Sequence, residues 1–441
     1  MARRFLLIIA VLSLCASATL WAQDDEKPTV AILRLGDFAS VVATESAILD
    51  VLQARGFIDS EERAMTAPHQ DLQGENINIV WGNADFDLSL VPIMIDNAID
   101  QDADVLLTIT TMVTMAAVDA TLDMDDPPAV LFTSVSTPYY SGIAEAPCIK
   151  PDHVAGFQVR VPYEEIVPML LSHNADLKTI GTIFQSTSLP GAFGVESIEQ
   201  IADELGLMVE TTAIAALPDL RAATQGLIDK GVEAILLPAD NSIGLGMPII
   251  AGTALPYGIP VYHAVSGGVA LGATFGIGAY RHYQEGVDAG RVLSAYLNGD
   301  IDFATTAIGS IDGVAIGLNV DLARAGNIPI TDELLATADL AVDGEMLQLS
   351  PRMLEDYLIG LEPAAVLGIM EAAAAALPNV EFAAGKLILP VDSLDSIVES
   401  AAAFLAASGG GSPDDTAFLE SLRCTDEMIA EQQAALTASG A

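Results

Sequence analysis

Positive charge is scarce in this sequence. The 441 residues carry 60 acidic side chains against 17 basic ones, five of which are Lys, and the formal net charge is −43. A surface of this sign repels nucleic acid and anionic lipid headgroups, so both are excluded as main partners. Hydrophobic residues make up 51% of the chain, which excludes disorder as a class. The length predicts about two to three domains.

Cysteine is also rare, with three in the chain. Cys15 lies in the segment MARRFLLIIAVLSLCASATLWAQ, whose Arg pair, apolar run and small residues predict a secretory signal peptide over 1–22. A lipoprotein signal that uses Cys15 is the alternative. The mature protein is therefore expected in the periplasm or outside the cell, either soluble or lipid-anchored. In that oxidising compartment we expect Cys148 and Cys424 to form a disulfide, worth about 4–5 kcal/mol in the entropic model.

Catalytic and metal-binding motifs are missing as well. The sequence contains no H-E-x-x-H, G-x-S-x-G or P-loop pattern, and its five His lack the spacing of a metal site. No apolar run of about twenty residues follows the N-terminal segment, so no membrane span is expected. These absences argue against an enzyme and predict neither a cofactor nor a metal. The protein is therefore expected to associate with the membrane only through another protein or a lipid anchor.

From residue 28 onward, short apolar runs alternate with helical patterns. Strands are predicted in two successive groups, at 29–35, 77–81, 105–109 and 129–133, and then at 179–184, 207–213, 233–238 and 259–263. Most of these runs are continuously apolar, which is typical of parallel strands covered on both faces. The sequence therefore predicts an α/β fold with two doubly wound, flavodoxin-like lobes joined by a hinge.

The chain is expected to pass between the lobes more than once. We assign 28–137 and 275–310 to the N-terminal lobe, and 138–274 and 311–345 to the C-terminal lobe. Ala-rich helical patterns fill 346–441, which predicts a helical C-terminal appendage. Two lobes with separate cores predict hinge closure when a solute binds between them.

Short polar side chains follow most of the predicted strands, where ligands bind in open α/β sheets. Hydroxyls beside free helix amides suit a carboxylate, and an Asp at a strand end suits an ammonium group. The candidate ligand-binding residues are Asp37, Phe38, Ser40, Thr110, Thr111, Ser134, Phe184, Gln185, Asp240, Asn241, His263 and Ser266. A simple helix cap is the alternative for each Ser, Thr, Asp and Asn, and a polar rim is the alternative for His263.

Two roles are open to Asp240, which ends the run ILLPAD. It either holds the ammonium group of an amino-acid-like solute or only caps the following helix. In the first role, the solute carboxylate would lie opposite, on Thr110, Thr111 and Ser134. Aromatic walls would then come from Phe38, Phe184 and Tyr262.

An ordered set of motifs resembles the ABC-transporter substrate-binding proteins of the tryptophan/tyrosine-binding type. The matching stretches include VLLTITTMVTMAAVDAT, AVLFTSVSTP, HVAGFQVRVPYEEIV, AILLPADN, GIPVYH and GATFGIGAYRHYQEGVDAGRVLSAYLNG, within about residues 28–340. The resemblance implies a type I periplasmic-binding-protein fold, a small-molecule solute, and a membrane permease and an ATPase as partners.

The family positions fall on Thr110–Thr111, Ser134–Pro138, Phe184–Gln185 and Ala239–Asn241 of this sequence. The GDFAS loop after the first strand and His263–Val265 depart from the family pattern, which leaves the ligand open. Together these observations predict an exported receptor that captures an aromatic or apolar amino acid, or a similar compound, for an ABC importer. A receptor that reports its ligand to a membrane signalling partner is the alternative. An exported enzyme on the same scaffold is disfavoured by the missing nucleophile and base.

Overall fold

The computed structural model of the protein describes residues 27–356, 363–393 and 414–439. The predicted signal peptide lies outside the described residues. The strands are β1 (Thr29–Arg34), β2 (Leu72–Gln73), β3 (Asn78–Asn83), β4 (Val105–Ile109), β5 (Ala129–Val135), β6 (Val154–Val159), β7 (Thr179–Gln185), β8 (Met208–Ile214), β9 (Ala234–Leu237), β10 (Val261–Val265), β11 (Phe275–Ala279), β12 (Gly309–Ile311), β13 (Ala315–Asn319), β14 (Leu340–Asp343), β15 (Met346–Leu349), β16 (Glu381–Ala383) and β17 (Lys386–Pro390).

Helices connect most of these strands. They are α1 (Ala39–Ala54), α2 (Ser60–Met65), α3 (Val91–Asp100), α4 (Thr111–Thr121), α5 (Tyr163–His173), α6 (Leu189–Glu204), α7 (Leu220–Asp229), α8 (Asn241–Leu245), α9 (Met247–Ala254), α10 (His282–Leu297), α11 (Val320–Ala325), α12 (Asp332–Thr337), α13 (Pro351–Glu355), α14 (Pro363–Ala376), α15 (Thr416–Ser421) and α16 (Asp426–Ser439).

The N-terminal lobe is built on a seven-stranded sheet in the order β12-β6-β5-β4-β1-β3-β2. Its strands pair in parallel apart from β2, which runs antiparallel to β3. β4 is buried along its whole length, because helices cover both faces of the sheet. A separate apolar cluster fills the space on each face. The continuous apolar runs of the sequence are therefore central parallel strands.

The C-terminal lobe is built on a ten-stranded sheet in the order β16-β17-β15-β14-β13-β11-β10-β9-β7-β8. Five neighbouring strands of this sheet, namely β8, β7, β9, β10 and β11, pair in parallel. β13 then pairs antiparallel with β11, and β14 to β17 extend that edge of the sheet. The predicted α/β class with two lobes is confirmed, and both sheets place the carboxyl ends of their parallel strands at one edge.

Strand pairing shifts the lobe boundaries from those predicted at 137/138 and 274/275. β6 pairs with β5 and so belongs to the N-terminal lobe, while β11 pairs with β10 and belongs to the C-terminal lobe. The chain consequently crosses between β6 and α5, between β11 and α10, and between β12 and β13. Periodicity marks where a strand lies in the sequence but not which sheet it joins, and this explains the shift.

A helical appendage was predicted for residues 346–441. The described part of this segment also contains strands. β15, β16 and β17 extend the sheet of the C-terminal lobe. Leu347 and Leu349 pack with Leu387 and Leu389 against α14. Their period-two spacing is a strand signal, but each run is only a few residues long beside much longer Ala-rich helical patterns.

The end of the chain lies against the N-terminal lobe instead. A disulfide joins Cys148 to Cys424, with 5.7 Å between their Cα atoms, as the pair of cysteines in the mature chain predicts. Asp415 accepts hydrogen bonds from Arg55 at 2.7 Å and from Arg291 at 2.8 Å. The guanidinium group of Arg291 also lies 3.7 Å from the ring centre of Phe418. Covalent and ionic contacts thus hold α15 and α16 on this lobe.

Replacing both Cys148 and Cys424 by Ser should lower the free energy of unfolding. The bond spans a sequence separation of 276 residues. A loop of this length stabilises by up to about 5 kcal/mol in the entropic model, and measured values usually fall lower. Urea unfolding of the double variant and of the reduced wild type should agree with each other. An unfolding free energy equal to that of the oxidised wild type would contradict this expectation.

Candidate functional site

A cavity of about 520 Å³ lies between the lobes, at the carboxyl edges of both sheets. The N-terminal lobe contributes the turn after β1 and the start of α1, and the C-terminal lobe contributes α8 and the turns after β9 and β10. Further walls come from the start of α10 and from α13. Seven of the predicted ligand-binding residues line this cavity, namely Asp37, Phe38, Ser40, Asp240, Asn241, His263 and Ser266.

Phe38 forms the apolar wall on the N-terminal lobe. It precedes α1, and its ring stands edge-on to Phe86 with 4.8 Å between the ring centres. The same ring reaches across the cleft to α8, where a Cβ on Gly244 would lie 4.0 Å from Cε1 of Phe38. The side chain therefore lies between the two lobes, close to α8.

Asp37, beside Phe38, has an exposed carboxylate that is already paired. Its Oδ1 lies 2.8 Å from Nη2 of the buried Arg34 and accepts a bond from the side-chain amide of Asn83 at 3.2 Å. Arg34 also donates to Glu45 at 2.9 Å. This network fixes the turn after β1 at the rim of the cavity.

Asp240 is a buried helix cap in this structure. Its Oδ1 accepts from the backbone N–H groups of Ser242 at 2.9 Å and Ile243 at 3.3 Å, the standard arrangement before a helix. Its Oδ2 accepts from the backbone N–H of Gln185 at 3.0 Å and also bonds Ser188. Burial raises the pKa of Asp240, and these donors counteract that effect. The geometry favours the cap over the ammonium contact, since four donors fill the carboxylate.

Phe184, Gln185 and Tyr262, which were predicted to contact the solute, lie away from the cavity lining. Gln185 uses its backbone N–H on Asp240, and Phe184 is half-buried near the end of β7. Tyr262 points into the core, where its ring stacks on Phe275 with 4.7 Å between centres. Successive strand residues face opposite sides of a sheet, so a position near a strand end does not place a side chain in the cleft.

The hydroxyl cluster of the N-terminal lobe is occupied by the protein itself. Thr110, Thr111 and Ser134 follow β4 or end β5 but do not line the cavity. Glu285, fully buried in the first turn of α10, accepts from the Thr133 hydroxyl and from the backbone N–H of Ser134. Of the three residues predicted to bind the carboxylate of a solute, Ser134 is therefore bonded to an internal carboxylate. The Thr110 hydroxyl is buried without a hydrogen-bond partner among the described residues.

Two of these residues adopt the left-handed backbone region, where non-glycine residues are uncommon. The φ angle is 90° at Thr110 and 56° at Ser134. For a β-branched residue such as Thr110, this conformation costs of the order of 1–3 kcal/mol. Bonds such as the one from Ser134 N–H to Glu285 help to hold this strained edge in place.

Two His side chains line the cavity from opposite lobes. His263 is 5% exposed, and neither ring nitrogen makes a hydrogen bond of normal geometry to any residue that the structure describes. Burial lowers the pKa of His263 to about 4, and the backbone of Val265 offsets this only in part. His282 begins α10, with Nδ1 3.7 Å from Oε2 of Glu285. The neutral His263 can both donate to a ligand and accept from it.

Sequence analysis missed Tyr280, His282, Met353 and Asp356, which also line the cavity. Tyr280 and His282 follow β11, which is not among the strands that the sequence predicts. Asp356 follows α13 and is 3% exposed. Burial raises its pKa to about 6 against the lowering effect of the backbone N–H of Gln284. Nothing in the local sequence distinguishes Asp356 from an Asp on the protein surface.

All of the charged Asp, Glu, Lys and Arg side chains that line the cavity within the described residues are acidic. Asp37, Asp240 and Asp356 line it, and no Lys or Arg does so among the residues that the structure describes. Much of the remaining wall is apolar, including Phe38 and Leu271. An anion would meet three carboxylates here and no lining Lys or Arg, whereas a cation with an apolar body would be matched on both counts.

Metal binding finds no support in residues 27–356, 363–393 or 414–439, where no group of three or more His, Cys, Asp or Glu side chains could hold an ion. Within the same ranges, no helix is both long and apolar enough to span a bilayer.

His263→Gln should change how stability depends on pH. The unfolded chain protonates this His near pH 6.5 and the folded protein only near pH 4. Between these values only the unfolded state takes up the proton, so the stability contributed by neutral His263 is lost as the pH falls. The loss amounts to about 3 kcal/mol over the window.

The measurement is urea unfolding of wild type and variant at pH 7.5, 5.5 and 4. The raised pKa of Asp356 acts in the opposite sense over much of the same window. It is common to both proteins, so it cancels in the difference between them. The stability of wild type relative to the variant should fall by about 3 kcal/mol from pH 7.5 to pH 4. A difference that stays constant with pH would contradict the expectation.

Comparison with known proteins indicates the family to which the chain belongs. The profile described as "ABC transporter substrate binding protein" matches residues 67–342. A protein of Clostridioides difficile (strain R20291) named "Tyrosine-binding protein" is 23% identical over 303 residues, which are 68% of this chain and 81% of that protein.

Solved structures share the fold. A crystal structure from Streptococcus pneumonia, described as an ABC domain in complex with L-Trp, has a TM-score of 0.63 at 20% identity and covers 72% of this chain and 100% of its own. A conserved domain protein from Vibrio cholerae O1 biovar El Tor has a TM-score of 0.63 at 21% identity, with the same coverage of 72% and 100%.

The family profile spans more than half of the chain and includes most of the elements around the cavity. Proteins of this kind bind small-molecule solutes, work with ABC transporter components and are typically extracytoplasmic. They are solute-binding proteins and not enzymes. On these grounds, the chain belongs to the family of ABC transporter substrate-binding proteins.

Proposed function

We propose that the protein is an exported receptor for a small solute that carries a positively charged amine on an apolar or aromatic body. Aromatic amino acids and the corresponding amines are the nearest examples. The observation that carries this proposal is the cavity between the lobes, with apolar walls and carboxylates but no lining Lys or Arg among the described residues. Its volume of about 520 Å³ suits a solute of this size.

The relatives support the same class of solute. One is named a tyrosine-binding protein, and a structure with the same fold contains L-Trp. Delivery of the solute to an ABC importer, through a permease and an ATPase, is part of the proposal, and membership of the family supports it. Export follows from the signal sequence predicted over 1–22 and agrees with the disulfide between Cys148 and Cys424.

Capture of the solute by lobe closure is part of the proposal. A hydrogen bond crosses the cleft, where the hydroxyl of Tyr140 donates to Glu196 at 2.8 Å. The ring of Tyr140 also lies edge-on to Phe193 with 5.3 Å between centres. These contacts join the loop after β5 to α6 and are of the kind that forms when two lobes close.

The test is a calorimetric and thermal-shift panel on the mature protein. L-tryptophan, L-tyrosine, tryptamine and tyramine each carry an amine, whereas indole-3-propionate keeps the ring and a carboxylate without one. We expect amine-bearing compounds to bind and to raise the melting temperature, as any ligand specific for the folded state does. Indole-3-propionate should not bind. Equal binding of indole-3-propionate, or no binding by any amine, would overturn the proposal.

Phe38→Ala should weaken binding of whichever aromatic compound binds best in that panel. Removing the ring exposes the apolar part of the solute and opens the contact with α8, at a cost of about 1.5–3 kcal/mol, or about 10-fold to 150-fold in affinity. Phe418→Ala is the control, because this ring packs on Arg291 away from the cavity. If titration gave the same affinity for the Phe38 variant and for wild type, Phe38 would not be a wall of the site.

A further inference from the structure

We infer that the solute site includes Met353 and Asp356, and that Asp356 holds the positively charged amine. Both residues lie beyond the region matched by the family profile, which ends at residue 342. The inference rests on the proposed function, since it assumes a solute with an amine. It assigns to the segment after β14 a direct part in selecting that solute.

The position of this segment is fixed by the C-terminal lobe. β15 pairs with β14, and α13 follows it directly. Leu354 is buried in the apolar cluster shared with α14 and β17. Arg352 donates to the backbone carbonyl of Val314 at 3.0 Å, next to a crossing between the lobes. Met353 and Asp356 are therefore held at the cavity by β15 and by the contacts of Arg352 and Leu354.

Asp356 is the carboxylate at the cavity that has acceptor capacity to spare. A carboxylate has about four lone-pair sites. In Asp356, Oδ1 accepts from the backbone N–H of Gln284 at 2.9 Å and Oδ2 from that of Tyr283 at 3.2 Å. Each oxygen thus keeps about one site unfilled by the residues that the structure describes.

The other two carboxylates at the cavity are less suitable. Asp240 has four donors, and its Oδ2 faces Gly191 so closely that a Cβ there would overlap with it. Asp37 has a side chain that is 62% exposed and is paired with Arg34. A cation gains most beside a carboxylate that is buried and incompletely bonded, and that describes Asp356. The charges of His282 and Arg281 act on Asp356, but among the described contacts neither side chain donates a hydrogen bond to it.

A second observation points to a ligand in the same space. His263 lines the cavity and is 5% exposed, so 95% of it is buried. Neither of its ring nitrogens has a hydrogen-bond partner in the described part of the chain. A buried polar group left in this state is costly, so a solute that bonds to it recovers free energy. Met353 adds a flexible apolar side chain that adapts to the body of the solute. The cavity thus offers a cation site, a neutral polar contact and an apolar wall.

The experiment compares tryptamine with tryptophol, which has a hydroxyl in place of the amine. Wild-type protein should bind tryptamine. Asp356→Asn keeps a cap acceptor and removes the charge, so it should weaken tryptamine binding by at least about 30-fold. The same variant should change tryptophol binding by less than about threefold, because no charge is lost in that contact. Met353→Ala should weaken both compounds alike, by about 10-fold.

Asp415→Asn is the matched control. It removes a buried carboxylate of the C-terminal segment that pairs with Arg55 and Arg291 away from the cavity, so affinity for both compounds should be unchanged. Asp356→Ser, which also keeps a capping side chain, repeats the test if the Asn variant does not fold. An equal loss for tryptamine and tryptophol would mean that Asp356 acts only through structure, and would overturn the inference.

The outcomes separate this inference from the proposed function. If wild type binds tryptamine and the Asp356 variants bind it equally well, the proposed function stands and the inference is wrong. If wild type binds none of the amines in the panel, the proposed function fails and the inference fails with it.

Discussion

The buried carboxylates that border the cleft are held mainly by backbone amides, because this chain has few cations to pair with them. With 17 basic side chains for 60 acidic ones, most acids have no Lys or Arg partner. An uncompensated buried carboxylate is strongly unfavourable, so it must find other donors. Asp240, Glu285 and Asp356 each accept backbone N–H groups at a strand end or a helix start. The free amides at those points are favourable places for negative charge.

This arrangement shapes what the cleft can bind. The amides after β9 and at the start of α10 are among the places where a carboxylate of the solute would otherwise lie. The protein fills them with its own carboxylates, and Glu285 does the same beside Ser134. The cavity lining includes a large apolar surface, two His side chains and the incompletely bonded Asp356. The amine selectivity that we propose would thus be a consequence of how the chain satisfies its own acids.

Sequence reasoning identified the lobes because their strands are long, apolar and regularly spaced. It also identified the cavity residues on the turn after β1 and around Asp240, because these follow strands directly. It failed where the partner lies far along the chain. Glu285 bonds Ser134 across 151 residues, and Asp356 bonds Gln284 across 72. A local pattern shows that Asp or Glu can cap a helix, but not which distant amide it will meet.

The contact of Asp356 has a further consequence, since it joins the two lobes. Asp356 follows β15 and α13, which belong to the C-terminal lobe, and it bonds the first turn of α10, which packs on the N-terminal lobe. α10 begins directly after one of the crossings, where a rotation between the lobes displaces atoms least. In the lobe closure that we propose, a bond in that position would survive small rotations, while groups farther out, such as Tyr140 and Glu196, would separate. A cation that contacts both Asp356 and the opposite wall of the cavity would then favour the closed arrangement of the lobes, in which both can reach the cation. Selection of the solute and closure of the lobes would thus depend on the same carboxylate.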